Sequence, residues 1–305
     1  MAAHLINRVT VLGTGLIGGS FALALRKYTT GIHISGWDHA QVVSDAHGRG
    51  AIHAPFYGEL GPALENADLI YIALPVGVVL DMLPEIARLA PSHALVTDAC
   101  STKLRITQAA ADLFPGASGP MFLGGHPMAG RELAGIASAA PDLFRDAPYA
   151  LIDELPPRED GSSSEPGNIV QIKEDARVQA FVKILQKIGA RPIWLGAQRH
   201  DYAVGLASHL PQLAAVALAS FLYDRLDENG LPITLAGPGL RDSLRLAGSP
   251  YHIWRDIVLT NRDVLSAALD LFARRIEDIR ERLGSRDLEA DFDSANELYK
   301  LLRGL

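Results

Sequence analysis

The stretch RVTVLGTGLIGGSFALAL, residues 8–25, constrains the fold of this chain more than any other part of it. A β-favouring run, Arg8 to Leu12, leads into Gly13, Gly15 and Gly18 at G-x-G-x-x-G spacing, and a helical pattern opens at Leu16. Gly13 permits a tight turn, Gly15 removes the Cβ that would keep a phosphate off the backbone, and Gly18 allows close helix-to-strand packing. The first amides of the helix, those of Leu16 and Ile17 among them, are then free to face an anion at its positive end. The spacing carries meaning only in this strand-turn-helix setting, and incidental glycines are the other reading. Such a unit starts a parallel sheet with crossover helices.

The alternation continues. Short apolar or β-branched runs occur at Ile32 to Trp37, Asp68 to Leu74, Ala94 to Asp98, Met121 to Gly124, Tyr149 to Ile152 and Pro192 to Leu195. Helical patterns lie at Leu16 to Tyr28, His39 to Gly48, Val76 to Leu89, Lys103 to Leu113 and Asp175 to Ile188. The segment 156–168, PPREDGSSSEPGN, reads as an exposed loop, and the helix-then-strand pattern after it implies that the sheet continues. From Gln198 the strand signal stops, and helical patterns run over Asp201 to Leu226, Ser249 to Gly284 and Asp287 to Leu302. The change of period predicts an α/β domain over 1–197 and an all-helical domain over 198–305. Two domains also suit 305 residues, since single cores stop growing at about 250 to 300.

Charge and composition exclude several classes. Lys+Arg 28 against Asp+Glu 35 gives a net charge of −7, so no cationic surplus exists to hold a nucleic-acid backbone. One cysteine, Cys100, cannot close an intramolecular disulfide, no Cys/His cluster has metal-ligand spacing, and the N-terminus lacks a secretory pattern. The most apolar run, Leu210 to Leu222, is interrupted by Pro211 and Gln212 and is too short to span a bilayer. The expectation is a soluble, cytoplasmic protein with no metal, no nucleic-acid partner and no membrane contact. Apolarity on nearly all sides of Val204 to Leu222 calls for burial in a bundle or against another subunit, which predicts a homodimer built on the helical domain.

Asp38 ends the second strand, about twenty residues past the last glycine, where a carboxylate would bond the ribose hydroxyls of NAD and repel a 2′-phosphate. The sequence therefore points to a bound dinucleotide, NAD in preference to NADP, although His39 and Arg49 offer nearby positive charge and Asp38 could instead cap the next helix. Leu74 and Pro75 fall at the carboxyl edge of a parallel strand, where open α/β sheets bind ligands. Asp98 and Ser101, in ALVTDACSTK, sit at the same edge one strand on, although a serine there can also be a helix N-cap. His126, in FLGGHPMAG, is set between glycines and a proline on a restricted loop, and its imidazole can take a proton from a substrate hydroxyl near neutral pH.

Together GTGLIGGSFALAL, IALPV, DACSTK, GGHPMAG, SHLPQ and AGPGLRDSLRLAGSPYHIWRDI resemble the prephenate/arogenate (cyclohexadienyl) dehydrogenase family of tyrosine biosynthesis. The matches run in order from about residue 8 to residue 262, and HPMAG with GPGxRDxxRxA is far more specific than the glycine motif. The resemblance implies a Rossmann-type doubly wound sheet followed by an all-helical dimerisation domain, and NAD(P)-dependent oxidative decarboxylation of a cyclohexadienyl substrate. His126 matches the family histidine expected to accept the substrate 4-hydroxyl, and Ser101 the serine supporting that histidine and the nicotinamide side. His209 resembles the histidine that approaches substrate across the interdomain cleft, and Arg245 the arginine for the side-chain carboxylate.

Arg241 and Arg245 are at i, i+4 and hence on one helical face, with Arg241 open to a structural role. Trp254 aligns with a family aromatic at the site rim, or else packs in the core. Glu132 reads either as a latch to the opposite domain or as surface charge. Prephenate has a ketone where arogenate has an amine, so an arogenate site should offer a carboxylate. Gln212, one turn after His209, offers none and favours prephenate. The chain ends at Leu305 soon after its last helical pattern, so no appended ACT domain is expected and tyrosine would inhibit at the active site itself. A dehydrogenase of another hydroxy acid would instead carry a catalytic lysine on the helical domain, and a non-catalytic NAD sensor would lack the His and Arg chemistry.

Overall fold

The computed structural model describes residues 6–114, 118–130, 135–153, 172–226 and 230–304. The first part alternates strand and helix: β1 Arg8–Leu12, α1 Leu16–Tyr28, β2 His33–Trp37, α2 Ala40–Gly48, β3 Ala54–Phe56, α3 Gly61–Leu64, β4 Leu69–Ile72, α4 Val76–Leu89, β5 Leu95–Asp98, α5 Leu104–Ala111 and β6 Met121–Leu123. These strands form one parallel sheet in the order β3-β2-β1-β4-β5-β6. That order is the doubly wound dinucleotide-binding arrangement. Both faces are apolar, as a sheet covered by helices on two sides requires. On β4, Leu69 and Tyr71 enter one buried cluster while Ile70 and Ile72 enter the other.

A second sheet departs from the continuous one that the sequence predicts. It contains β7 Gly125–Pro127, β8 Pro148–Ile152 and β9 Arg191–Leu195, with α6 Ala176–Lys187 between the last two. β7 runs antiparallel to β8, and β8 parallel to β9. The chain leaves the large sheet at Gly124, where a Cβ would come 3.0 Å from both Ile152 and Thr107 side chains. His126 therefore lies on a strand rather than on a loop. The Gly-His-Pro triplet conceals this, because glycine and proline signal turns and the pairing partner, Ala150, is 24 residues away. Few aromatics are needed to join the two sheets: Phe21 stacks on Tyr71 at 3.9 Å, and Tyr149 of β8 donates to the Tyr71 hydroxyl at 3.3 Å.

After β9 every regular element is helical among the described residues: α7 Ala197–Tyr223, α8 Leu231–Thr234, α9 Pro238–Leu244, α10 Tyr251–Thr260, α11 Arg262–Glu281 and α12 Glu289–Arg303. Two expectations are corrected here. α7 is continuous over 27 residues and is long and apolar enough to cross a membrane by length and composition, whereas the run Leu210 to Leu222 alone is too short. A π-helical turn, Gly205–His209, precedes Pro211 and places the proline at the start of the next regular segment, where a missing amide breaks no bond. The pattern from Ser249 to Gly284 is two helices, divided at Asn261, whose side chain is turned inward and 4% exposed.

Candidate active site

The glycine loop has the shape its sequence demands. Gly13 has φ +88°, and a Cβ there would lie 2.4 Å from the Ala73 carbonyl oxygen; a Cβ on Gly18 would meet the Gly13 oxygen at 1.9 Å. Above Gly15 there is nothing within 4 Å, so the space that a phosphate needs is open. Leu16 and Ile17 are half-buried at the start of α1, which has no side-chain cap. Asp38 supports the loop: one carboxylate oxygen accepts from the Thr14 amide at 2.7 Å, the other from the His39 amide at 2.7 Å. The helix starts at Ala40 with His39 in the cap position and no side-chain cap, so Asp38 is not that cap. It remains partly exposed, with lone pairs left for a ribose hydroxyl. The loop, the uncapped helix and the carboxylate together fit a dinucleotide.

Two other helix starts at this edge, those of α4 and α5, are occupied by the helical part. Asp256 of α10 accepts from the Gly77 amide at 3.0 Å, at the first turn of α4. Asp201 of α7 accepts from the amides of Lys103 and Leu104, at 2.7 and 2.9 Å, at the start of α5. Thr102 and Thr260 add a hydroxyl pair at 2.8 Å. Carboxylates satisfy orphan amides and complement the helix dipole, so these contacts fix where the helical part sits on the sheet edge.

Around this seam stand most of the residues singled out by sequence. His126 is 8% exposed, and its Nδ1 lies 2.9 Å from Nε2 of His200. His200 Nδ1 is 2.7 Å from Asp201 Oδ1. Burial first, then the neighbouring His200, Lys103 and His209, hold the His126 ring well below the usual histidine pKa, so it is neutral at pH 7. His209 is 2% exposed on the π-helical turn, with Nδ1 3.2 Å from Asn261 Nδ2 and the ring edge-on to Trp254 at 5.7 Å. Burial brings its pKa down to about 4. Trp254 is thus half-buried and packs against His209. Leu74 is half-buried and Pro75 exposed in the cap position of α4, both at the sheet edge.

Three expectations need correction. Asp98 is fully buried and its carboxylate is already engaged by the Lys103 ammonium and by the amides of Cys100 at 3.0 Å and Gly125 at 3.1 Å. It anchors the β5 edge to the His126 strand and has no exposed atom to offer a cofactor. Gln212 is 2% exposed, and its Nε2 donates to the Leu246 carbonyl at 2.8 Å, pinning the turn that carries Arg245. It holds the fold rather than substrate. Arg241 and Arg245 are both exposed, but α9 ends at Leu244 and Arg245 opens a 3-10 turn, so they do not share an uninterrupted α-helix.

Ser101 is half-buried two residues before Lys103, which occupies the cap position of α5; this removes the N-cap reading. Glu132 and the 156–168 loop lie outside the described residues. Sequence reasoning missed His200, Asp201, Asn261, Lys103 and Asp256. The one local signal for the first pair was an adjacent His-Asp in QRHDYAV at the start of the helical part.

Comparison with known proteins bears on this geometry. Residues 21–160 match the family model described as prephenate dehydrogenase, nucleotide-binding domain, and residues 196–303 the one described as prephenate dehydrogenase, dimerization domain. A prephenate dehydrogenase of Lactococcus lactis is 31% identical over 286 residues, covering 93% of this chain and 73% of the relative. Among solved structures, prephenate dehydrogenase of Aquifex aeolicus with hydroxyphenyl propionate and NAD+ superposes with TM-score 0.81 at 23% identity, covering 99% of this chain and 98% of that one. Synechocystis arogenate dehydrogenase superposes with TM-score 0.70 at 25% identity, covering 97% and 96%.

Proposed function

The chain belongs to the prephenate dehydrogenase family, and from that membership we propose that it converts prephenate to 4-hydroxyphenylpyruvate by NAD-dependent oxidative decarboxylation. One observation carries the reading: a buried, neutral His126 stands at the sheet edge with Nδ1 engaged by His200 and Nε2 left for a substrate hydroxyl. NAD would be held by Gly13, Gly15, the α1 amides of Leu16 and Ile17, Gly18 and Asp38, with Leu74 and Pro75 beside it, and when bound it supplies the hydride acceptor.

His126 takes the proton of the 4-hydroxyl as the C4–H bond breaks, so that the oxygen becomes a carbonyl. Loss of carbon dioxide from C1 returns its bonding pair to the ring, the ring becomes aromatic, and the oxygen recovers a proton from His126. No net proton is consumed. Ser101 supports His126 and the nicotinamide side, His209 and Trp254 meet the substrate from the helical part, and Arg245 forks onto the side-chain carboxylate. Arg241 has the weaker claim to substrate. The work divides near residue 197: the sheet binds the nucleotide and the helical part closes on substrate and forms a homodimer. A cytoplasmic setting belongs to the same reading.

Formation of NADH on adding prephenate tests it. We expect activity with NAD in clear excess over NADP, and a large loss of kcat in His126→Ala, against mainly a raised KM in Arg245→Ala. Arogenate is the second reading, motivated by the Synechocystis likeness; a higher kcat/KM for arogenate than for prephenate would install it instead.

A further inference from the structure

The buried network behind His126 does more than pack. It begins from groups whose hydrogen-bonding direction is fixed. The amides of Lys103 and Leu104 can only donate, so both carboxylate oxygens of Asp201 act as acceptors there. Oδ1 of Asp201 then receives the Nδ1 hydrogen of His200, at 2.7 Å. With its hydrogen on Nδ1 alone, His200 presents a bare Nε2 placed 2.9 Å from Nδ1 of His126, which then is the donor of that bond. The chain of donors thus leaves Nε2 of His126 without a hydrogen.

The same residue sets His209 the other way. The main-chain carbonyl of Asp201 is an acceptor only, and Asn261 Nδ2 donates to it at 2.8 Å. The second hydrogen of that amide goes to Nδ1 of His209 at 3.2 Å, so His209 keeps its hydrogen on Nε2. Side chain and carbonyl of one aspartate therefore impose opposite tautomers on two histidines that lie 83 positions apart in a single seam.

We propose that His200, Asp201 and Asn261 are positioning residues for the reaction, fixing His126 as a hydrogen-bond acceptor and His209 as a donor, with His200 sharing the proton that His126 removes. The step balances within the chain: the 4-hydroxyl proton bonds to Nε2 of His126, the Nδ1 hydrogen of His126 passes to Nε2 of His200, and the carboxylate of Asp201 faces the resulting imidazolium. Reversal returns the proton to the phenolic oxygen. The other ionisable groups around His126 are Lys103 at the start of α5, itself paired to Asp98 of β5, and His209 on α7. Neither offers the His126 ring a relay partner: Lys103 is committed to Asp98, and His209 has its Nδ1 taken by Asn261.

The proposal rests on the dehydrogenase reading for its kinetics but not for its tautomers, so two measurements are paired. Nitrogen-15 NMR of labelled histidines in the whole enzyme should show His126 with hydrogen on Nδ1 and His209 with hydrogen on Nε2. In kinetics with prephenate, His200→Leu should lower kcat about a hundredfold with KM nearly unchanged, while His200→Gln, which still accepts from His126 but cannot carry a proton onward, should keep the tautomer and lose about tenfold. The acid limb of the kcat profile should move in both variants. Unchanged NAD affinity shows that the variants are folded, and Asp201→Asn should disturb the His126 tautomer while leaving that of His209, which the main-chain carbonyl sets, as it is. A wild-type His126 with its hydrogen on Nε2 overturns the proposal, as does a kcat within twofold of wild type with an unaltered pH profile in His200→Leu. If the wild type oxidises neither prephenate nor arogenate, the activity reading fails and the NMR result alone decides this one.

Discussion

The sheet part and the helical part treat apolar surface in opposite ways. Up to β9 the large apolar side chains are buried or half-buried among the described residues, and only Tyr57, Val78, Met128 and Ile193 stand exposed. From Tyr202 onward the reverse holds. Leu235 is 75% exposed, Leu271 66% and Phe292 68%, and the buried apolar residues reduce to a few such as Val204, Ile257 and Leu265. Side chains of this size contribute about 1.5 to 3 kcal/mol each when fully buried, and monomers rarely leave so much of that unclaimed. The sheet part closes its own core, whereas the helical part leaves an apolar surface that the proposed homodimer would cover.

That contrast can be broken most directly at the helical surface. Replacing Leu271 and Phe292 together by aspartate should change the solution particle from about twice 32.7 kDa to a single chain by light scattering, with the sheet part still folded. A wild-type protein that is already one chain at micromolar concentration would remove the explanation for the exposed residues.

A second, smaller effect concerns acid. His209 titrates near 4 when folded and near 6.5 when unfolded, so the unfolded chain binds the proton first as pH falls. Stability is therefore full above pH 6.5 and is lost progressively down to about pH 4, by about 3 kcal/mol from this ring; His126 acts in the same direction. Urea unfolding at pH 7 and pH 4.5 should show the loss, and His209→Gln should reduce its slope with pH. Equal slopes in the two proteins would detach the acid response from the seam.

The least change in stability is expected at Gly15. With nothing within 4 Å of its Cβ position, Gly15→Ala should alter unfolding by no more than about 1 kcal/mol. The added methyl should nonetheless weaken NAD binding at least tenfold by calorimetry. Undiminished affinity would mean that the nucleotide does not approach the loop there.

How much of this was legible in the sequence depended on distance along the chain. β1, α1 and α4 run between the residues their patterns indicate, because strand period, helix period and the glycine turn are all local signals. β7 was not legible, since its three residues carry turn-forming types and become a strand only by pairing with β8. His126 and His209 could be found from their motifs. His200 could not, because its partner is 74 positions away, and Asp201 reaches α5 across 98 positions. Asp98 and Gln212 misled for the same reason: a polar residue at the right edge says nothing about whether Lys103 or Leu246 has already taken its hydrogen bonds.

The carboxylates at the seam also act by subtraction. Three helices, α1, α4 and α5, begin where β1, β4 and β5 end, and each start would attract a negatively charged group. Asp256 and Asp201 occupy two of them. An anionic ligand entering the seam finds those two starts already neutralised, while the α1 start beside the glycine loop carries no side-chain cap, so the helical part narrows where the nucleotide can sit.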